Sequence, residues 1–197
     1  MISKENFIAL VELDNLRRPG RPDYLAYRSR AAALLAYCGG LWFPEIMALR
    51  RAHWMPEGKA CILIEATAER SPRRIPASPA VKWAVQRYLV ERPETFGDVP
   101  LFACEEGLPL KQEITNAIRK SATSGERKLR SGELRASFEE SILRAHRHDP
   151  LSYYLIGMAP PGHLPRIVED PPLPDLDRLL RDSGHLYFDC RALWRRN

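Results

Sequence analysis

The amino-acid sequence predicts an α+β fold, mainly helical, with a small antiparallel β-sheet on one edge of a helical bundle. Three observations lead there. Apolar residues recur at three- and four-residue spacing through most of the chain, which gives each helix one face to bury. One stretch, "KACILIEATAERSPRRIPAS" (59–78), breaks that period with a short apolar run, turn residues and a second short run, the pattern of a hairpin. Of the 197 residues, 45% are hydrophobic and 28% charged, which suffices for one core.

Taken in order, Ser3 can cap a helix over 4–16, with Phe7, Leu10, Val11 and Asp14 at helical spacing. "RPGRP" (18–22) is a turn, after which Pro22 and Asp23 open a second helix through Ala31 to Tyr37. The Gly39-Gly40 pair stops it, because glycine tolerates the left-handed conformation at a helix end. Two bulky aromatics, Trp42 and Phe43, then stand in the turn before Pro44, which starts "PEIMALR" (44–50) with Ile46, Leu49 and Met47 toward the core.

The run from Lys59 to Ala66 is a buried strand and "RRIPAS" (73–78) its partner. Ser78 and Pro79 launch an amphipathic helix to Glu91, with Val81, Ala84, Val85, Tyr88 and Leu89 on one face. A third short strand is expected at Leu101 to Ala103. Helices follow over Lys111 to Ser121 and, capped by Ser131, through Phe138, Ile142 and Leu143 to Ala145. Asp149-Pro150 opens another, "DPLSYYLIG", ending at Gly157.

Between Ala159 and Pro174 the six prolines at 160, 161, 165, 171, 172 and 174 exclude a regular helix. "DLDRLLRD" (175–182) recovers as a short helix, and the tail "HLYFDCRALWRRN" (185–197) is a strand or helix docked on the body. There is no internal repeat and no long linker. The expected organisation is one main domain over 1–158, with 159–197 packing on it.

Several classes are set aside by composition. The stretch from Ala31 to Leu49 carries a single charge, Glu45, but Gly39, Gly40 and Pro44 divide it, so no membrane partner is expected. "MISKENFIAL" lacks the features of a secretory signal, and the chain is expected to be cytoplasmic. Cys38, Cys61, Cys104 and Cys190 form no paired motif, so neither a disulfide nor a metal is expected, and no cofactor. On a helix, His146 and His148 point to different faces and read as a solvated helix end. The net charge is +5, and of the 30 cations only six are lysines. Arginine-rich basic domains suit phosphate, although a GC-rich genome produces the same bias.

Several strings resemble the catalytic domain of the tyrosine recombinases, or phage integrases. "YRSRAAALLAYCGGLWFPEIMALR" is similar to the family's helix, GLR-x-x-E turn and following helix. The 59–78 stretch resembles its β-hairpin, "SGELRASFEESIL" its H-x-L-R helix, and "DPLSYYLIG" its Leu-Gly-His/Trp segment. The resemblance covers about Ser3 to Met158. It implies a fold, duplex DNA as a partner, and a chemistry in which a tyrosine attacks a phosphodiester while two arginines and a His or Trp hold the phosphate. It finds no counterpart of the family's N-terminal helical domain, so contact with one face of a duplex, or action through a partner, is expected.

Carried over position by position, the resemblance implies a lost active site. The first arginine falls on Trp42, the hairpin lysine on Ala68, the His or Lys on Gly132, the His or Trp on Met158 and the nucleophile on Ile167. Arg135 alone is retained. Removing one such phosphate donor commonly costs about 3 kcal/mol of transition-state stabilisation. Tyr187 is the single downstream tyrosine and would be a displaced nucleophile. Tyr153 and Tyr154 read as packing residues, and His163 and His185 as loop residues.

Two readings of function follow. In one, an inactive recombinase-like accessory of a mobile element touches DNA through Arg70, Arg73 and Arg74 on the hairpin and Arg127, Lys128, Arg130 and Arg135 near the long helix. From Arg119 to Arg147 eight cations face four anions; a solvated basic surface is the plain alternative. In the other, Trp42 and Met158 fill the old cleft or receive a segment of an active recombinase or another mobile-element protein.

Overall fold

In a computed structural model, which describes residues 2, 4–12, 16–67, 70–93, 100–102, 110–121 and 132–184, the chain builds outward from one helix. That helix, α2 (Asp23–Cys38), is buried from Tyr24 to Cys38, on every side. A helix enclosed all round must satisfy any polar side chain it carries. Arg28 does so by donating to Glu113 at 2.6 Å, Ser29 by donating to the same carboxylate at 2.9 Å, and Arg30 by donating Nε–H to the Val11 carbonyl at 2.7 Å.

Around it pack α1 (Lys4–Val11), α3 (Phe43–Ala48), α4 (Pro79–Glu91), α5 (Leu110–Ser121) and α6 (Gly132–His146). Phe7 of α1 stacks on Tyr37 of α2 with ring centroids 3.9 Å apart. The chain closes with α7 (Pro150–Ile156) and α8 (Leu173–Asp182). Leu176, Leu179 and Leu180 of α8 are buried in the same core. Ser78 and Asp149 cap α4 and α7, each accepting from a backbone N–H of the first turn, and Pro79 and Pro150 follow them. These are the starts the sequence predicts.

The sheet runs β1 (Trp54–Met55), β2 (Cys61–Ile64), β3 (Arg73–Pro76), all antiparallel. Its register pairs Trp54 with Ile62, Ile62 with Ile75 and Ile64 with Arg73. Since strand side chains alternate, Trp54, Ile62, Ile64, Ile75 and Arg73 share the inner face, all buried. Arg74 falls on the outer face, toward α8, which lies against β3.

Some expectations are corrected. The third strand is Trp54–Met55; Leu101 and Phe102 form a turn, fixed by burial and by the Leu101 N–H donating to the Leu49 carbonyl, and Ala103 lies outside the described residues. Met47 is 42% exposed, because a six-residue helix buries one narrow stripe, here Glu45, Ile46 and the capping Leu49. Helix α1 ends at Val11 rather than Leu16, and Asp14 lies outside the described residues. Leu89 and Leu143 are half-buried at the rims of their helices. Cys38 and Cys61 are buried; Cys104, Cys190 and the tail lie outside the described residues. Among the described residues no helix is long and apolar enough to cross a membrane, and no three His, Cys, Asp or Glu side chains group as metal ligands.

Candidate functional site

The turn after α2 places the first candidate. Gly40 has φ +66°, and its α-carbon sits on the Phe138 ring with no room for a β-carbon. That close approach brings α6 against the turn, so that Arg135 donates Nε–H to the Gly40 carbonyl at 3.0 Å. Leu41 is buried and Trp42 half-buried. The Trp42 N–H donates to Glu45 Oε2 at 2.7 Å, which closes the first turn of α3.

Glu45 has a second partner. Arg73 approaches from β3 with Nη1 at 2.7 Å from Oε1 and Nη2 at 3.1 Å from Oε2, a two-pronged pair shielded from solvent. Arg73 Nε–H also donates to the Leu155 carbonyl at 3.0 Å. Burial pushes the Glu45 carboxyl up, but the Arg73 hydrogen bonds and charge, the Trp42 N–H and the charge of Arg135 outweigh it and hold the carboxyl below its ordinary value.

The Trp42 ring lies under two other arginines. The guanidinium carbons of Arg70 and Arg135 are 4.6 and 4.7 Å from its centroid, within the range of a cation over an aromatic face. Both arginines reach the same two acceptors. Arg135 Nη2 lies 2.6 Å from Glu139 Oε1 and 3.2 Å from the Ile156 carbonyl, and Arg70 Nη2 lies 3.5 Å from Glu139 Oε1 while its Nη1 donates to that carbonyl.

Three guanidiniums thus meet two carboxylates. Arg135 Nη1 is buried with no hydrogen-bond partner, and burial, then the charges of Arg70 and Arg73 against those of Glu139 and Glu45, bring its pKa down to about 10. Arg135 therefore remains a cation at neutral pH. Gly157, at φ +72°, ends α7 beside this cluster, and a β-carbon there would stand 2.7 Å from Arg73 Nη1.

The structure therefore gathers Trp42, Arg70, Arg73 and Arg135 and sets Arg74 apart. Arg74 is half-buried on the outer face, with Nε 3.1 Å from Asp170 and Nη2 donating to the Pro171 carbonyl at 3.2 Å. Arg73 was expected to present its charge outward; at 2% exposure it does not, since strand alternation sends it inward with Ile75. Gly132 is the exposed first residue of α6, Met158 is 49% exposed beyond α7, and Ile167 is half-buried in the proline-rich segment.

Tyr154 donates to Asp170 at 2.9 Å and accepts from the Arg74 N–H at 2.8 Å, and burial pushes its hydroxyl pKa up. Tyr153 donates to the Arg147 carbonyl at 3.3 Å. His163 and His148 are exposed, and His146 is half-buried at the end of α6. Ala68, Arg127, Lys128, Arg130, His185 and Tyr187 lie outside the described residues.

Glu45 and Glu139 are the counter-charges that a search for cations passes over. The signal for Glu139 was present, four residues after Arg135 on one helix. That for Glu45 was its place three residues after the helix cap.

No family model and no curated protein sequence matches the chain. Solved structures do. It is similar to the XerH site-specific recombinase bound to a palindromic difH substrate in a post-cleavage complex, at 18% identity and a TM-score of 0.60, over 98% of this chain and 49% of that one. It is similar also to XerH bound to difH in a pre-cleavage complex, at 18% identity and 0.58, over 95% and 49%. The chain spans about half the length of the recombinase chains it matches. At this identity the likeness is one of architecture: the helices and edge sheet described above have the fold of a site-specific recombinase.

Proposed function

We propose that the chain is a recombinase-like protein that serves DNA recombination or the integration of a mobile element without cleaving DNA. One observation carries the reading. The position where the family resemblance expects a phosphate-holding arginine is Trp42, and its ring occupies the space beside the two guanidiniums, Arg70 and Arg135, that would otherwise face a phosphate. Glu139, Glu45 and the carbonyls of Gly40, Leu155 and Ile156 take most of the remaining donors. A phosphodiester entering here would have to displace an internal ion-pair network, and no described tyrosine stands ready to attack it.

Duplex DNA is the proposed partner, supported by fold neighbours that are recombinases on their difH substrates. Of the seven cations on the hairpin and near the long helix, Arg73 is unsuited to phosphate contact by its burial, and Arg70, Arg74 and Arg135 are engaged by acids. Arg127, Lys128 and Arg130 are left to carry the contact. The organisation proposed is a recombinase-like domain over 1–158 with 159–197 folded on it, acting in the cytoplasm.

The test combines a suicide DNA substrate with duplex titration at about 50 and 200 mM salt. The expected result is no covalent adduct, and salt-dependent binding reduced by reversing Arg127, Lys128 and Arg130 to Glu. An adduct abolished by Tyr187→Phe would overturn the inactivity, and absence of binding at low salt would overturn the DNA contact. A second reading, docking on an active recombinase or another mobile-element protein, is favoured by the exposure of Met158.

A further inference from the structure

A cleft of about 280 Å³ opens where α7 ends, between the hairpin loop and the proline-rich segment. Its walls are apolar: Pro72 on the hairpin side, Pro150 and Met158 from the two ends of α7, and Pro160 and Ile167 opposite. Gly157 also lines it, and a β-carbon there would meet the Arg73 and Arg70 side chains. Met158 is 49% exposed beside these walls, and methionine adapts its shape to varied partners. Val168, next along the chain from Ile167, is 93% exposed.

The polar groups decide what the cleft can hold. Arg166 lines it, is exposed, and has no ion pair or hydrogen bond among the described residues. No carboxylate is among the described lining residues. The Tyr154 hydroxyl is committed to Asp170 and to the Arg74 N–H, leaving Ser71 as the other hydroxyl present. Asp170, which accepts from the Tyr154 hydroxyl, is itself paired with Arg74.

The free volume of about 280 Å³ stands at the small end of the roughly 300–1,000 Å³ of small-molecule sites and suits one or two large side chains. A nucleic-acid backbone would need several donors, whereas three of the walls are prolines with no N–H and Arg166 is the one cation among the described lining residues. We infer that this cleft docks a peptide segment of a partner protein in which a large aliphatic or aromatic side chain enters between Met158, Pro160 and Ile167 while a neighbouring carboxylate pairs with Arg166. The inference rests on the docking reading for the existence of a partner, and adds its chemistry and its place.

The experiment is a selection of short random peptides displayed on phage against the whole chain, repeated on Met158→Asp and Arg166→Glu. Both residues are exposed, so the variants keep the wild-type melting profile. The selected peptides are expected to share an apolar residue beside Asp or Glu, to bind Met158→Asp about tenfold or more weakly, and to lose affinity for Arg166→Glu in a salt-dependent manner. Peptides that bind both variants as well as wild type leave the docking reading intact and overturn the cleft. Recovery of no peptide overturns both. Competition by a short DNA duplex for the selected peptides would assign the cleft to nucleic acid and likewise overturn the inference.

Discussion

The Trp42 ring and the Arg135 guanidinium stand 4.7 Å apart, so that the two positions which the recombinase resemblance aligns with phosphate-holding arginines lie against each other. Together with Arg70 at 4.6 Å, this makes Trp42 a structural counterpart of an anion. A ring face offers a negative quadrupole to two cations, but no hydrogen-bond acceptor, which is consistent with Arg135 Nη1 remaining without a partner.

Replacing that ring changes what the cluster needs. Trp42→Ala should lower stability by about 2–4 kcal/mol, from two lost cation–ring contacts and lost packing. Trp42→Arg adds a cation beside Arg70 and Arg135 and should be destabilised in dilute buffer. Sulfate should then raise its melting temperature by several degrees more than it raises that of wild type, since an anion binding the folded state alone stabilises it. Thermal melts over a sulfate series, with chloride at matched ionic strength, check this.

Arg73 and Glu45 should behave as folding residues. Removing one partner of a buried ion pair leaves the other uncompensated, so Arg73→Ala or Glu45→Ala should each cost about 3–5 kcal/mol in urea denaturation. Replacing both by apolar residues should recover much of that loss. Reversing Arg73 to Glu would consequently unfold the chain, which circular dichroism reads directly.

The same pair predicts an acid limb to stability. The Glu45 carboxyl is held below its ordinary value of 4.5 in the folded state, so its contribution is present above that value and is lost as pH falls through the lower folded value. The stability difference between wild type and Glu45→Gln should therefore be larger at neutral pH than in acid. Urea midpoints measured across the acid range read it directly, and an unchanged difference would contradict the assignment.

Gly157→Ala tests the junction between the helix end and the arginines. Alanine must adopt φ +72° and place a methyl 2.7 Å from Arg73 Nη1, so a loss of about 1–3 kcal/mol is expected, above the ordinary cost of a left-handed alanine. An additional Arg73→Met change should relieve part of it, because the clash is with the guanidinium. A double-mutant cycle on melting or urea data measures that coupling.

Most of the helices were legible because their starts and stops are local. Ser78-Pro79, Asp149-Pro150 and the Gly157 terminus each act within one turn of backbone. The two-residue strand Trp54–Met55 was not legible, since its identity as a strand comes from pairing with β2 and not from any period of its own. Leu101 and Phe102 carried the apolar signature of a strand and were instead drawn into the core as a turn, with Tyr88 donating to the Leu101 carbonyl at 2.9 Å.

For the site the division is of another kind. Sequence by itself determined the residue types at the positions to which the recombinase resemblance points, Trp42, Met158, Ile167 and Arg135. It also held the information that Arg73 points inward, through its two-residue spacing from Ile75. Only the tertiary structure decided which acid each arginine meets, because Glu45, Arg73 and Arg135 come from α3, β3 and α6, and charges far apart in sequence pair according to packing and desolvation and not by spacing. The hairpin arginines and Arg135, which read as an open basic surface, are thereby divided into a buried network around Trp42 and an outer pair at Arg74 and Asp170.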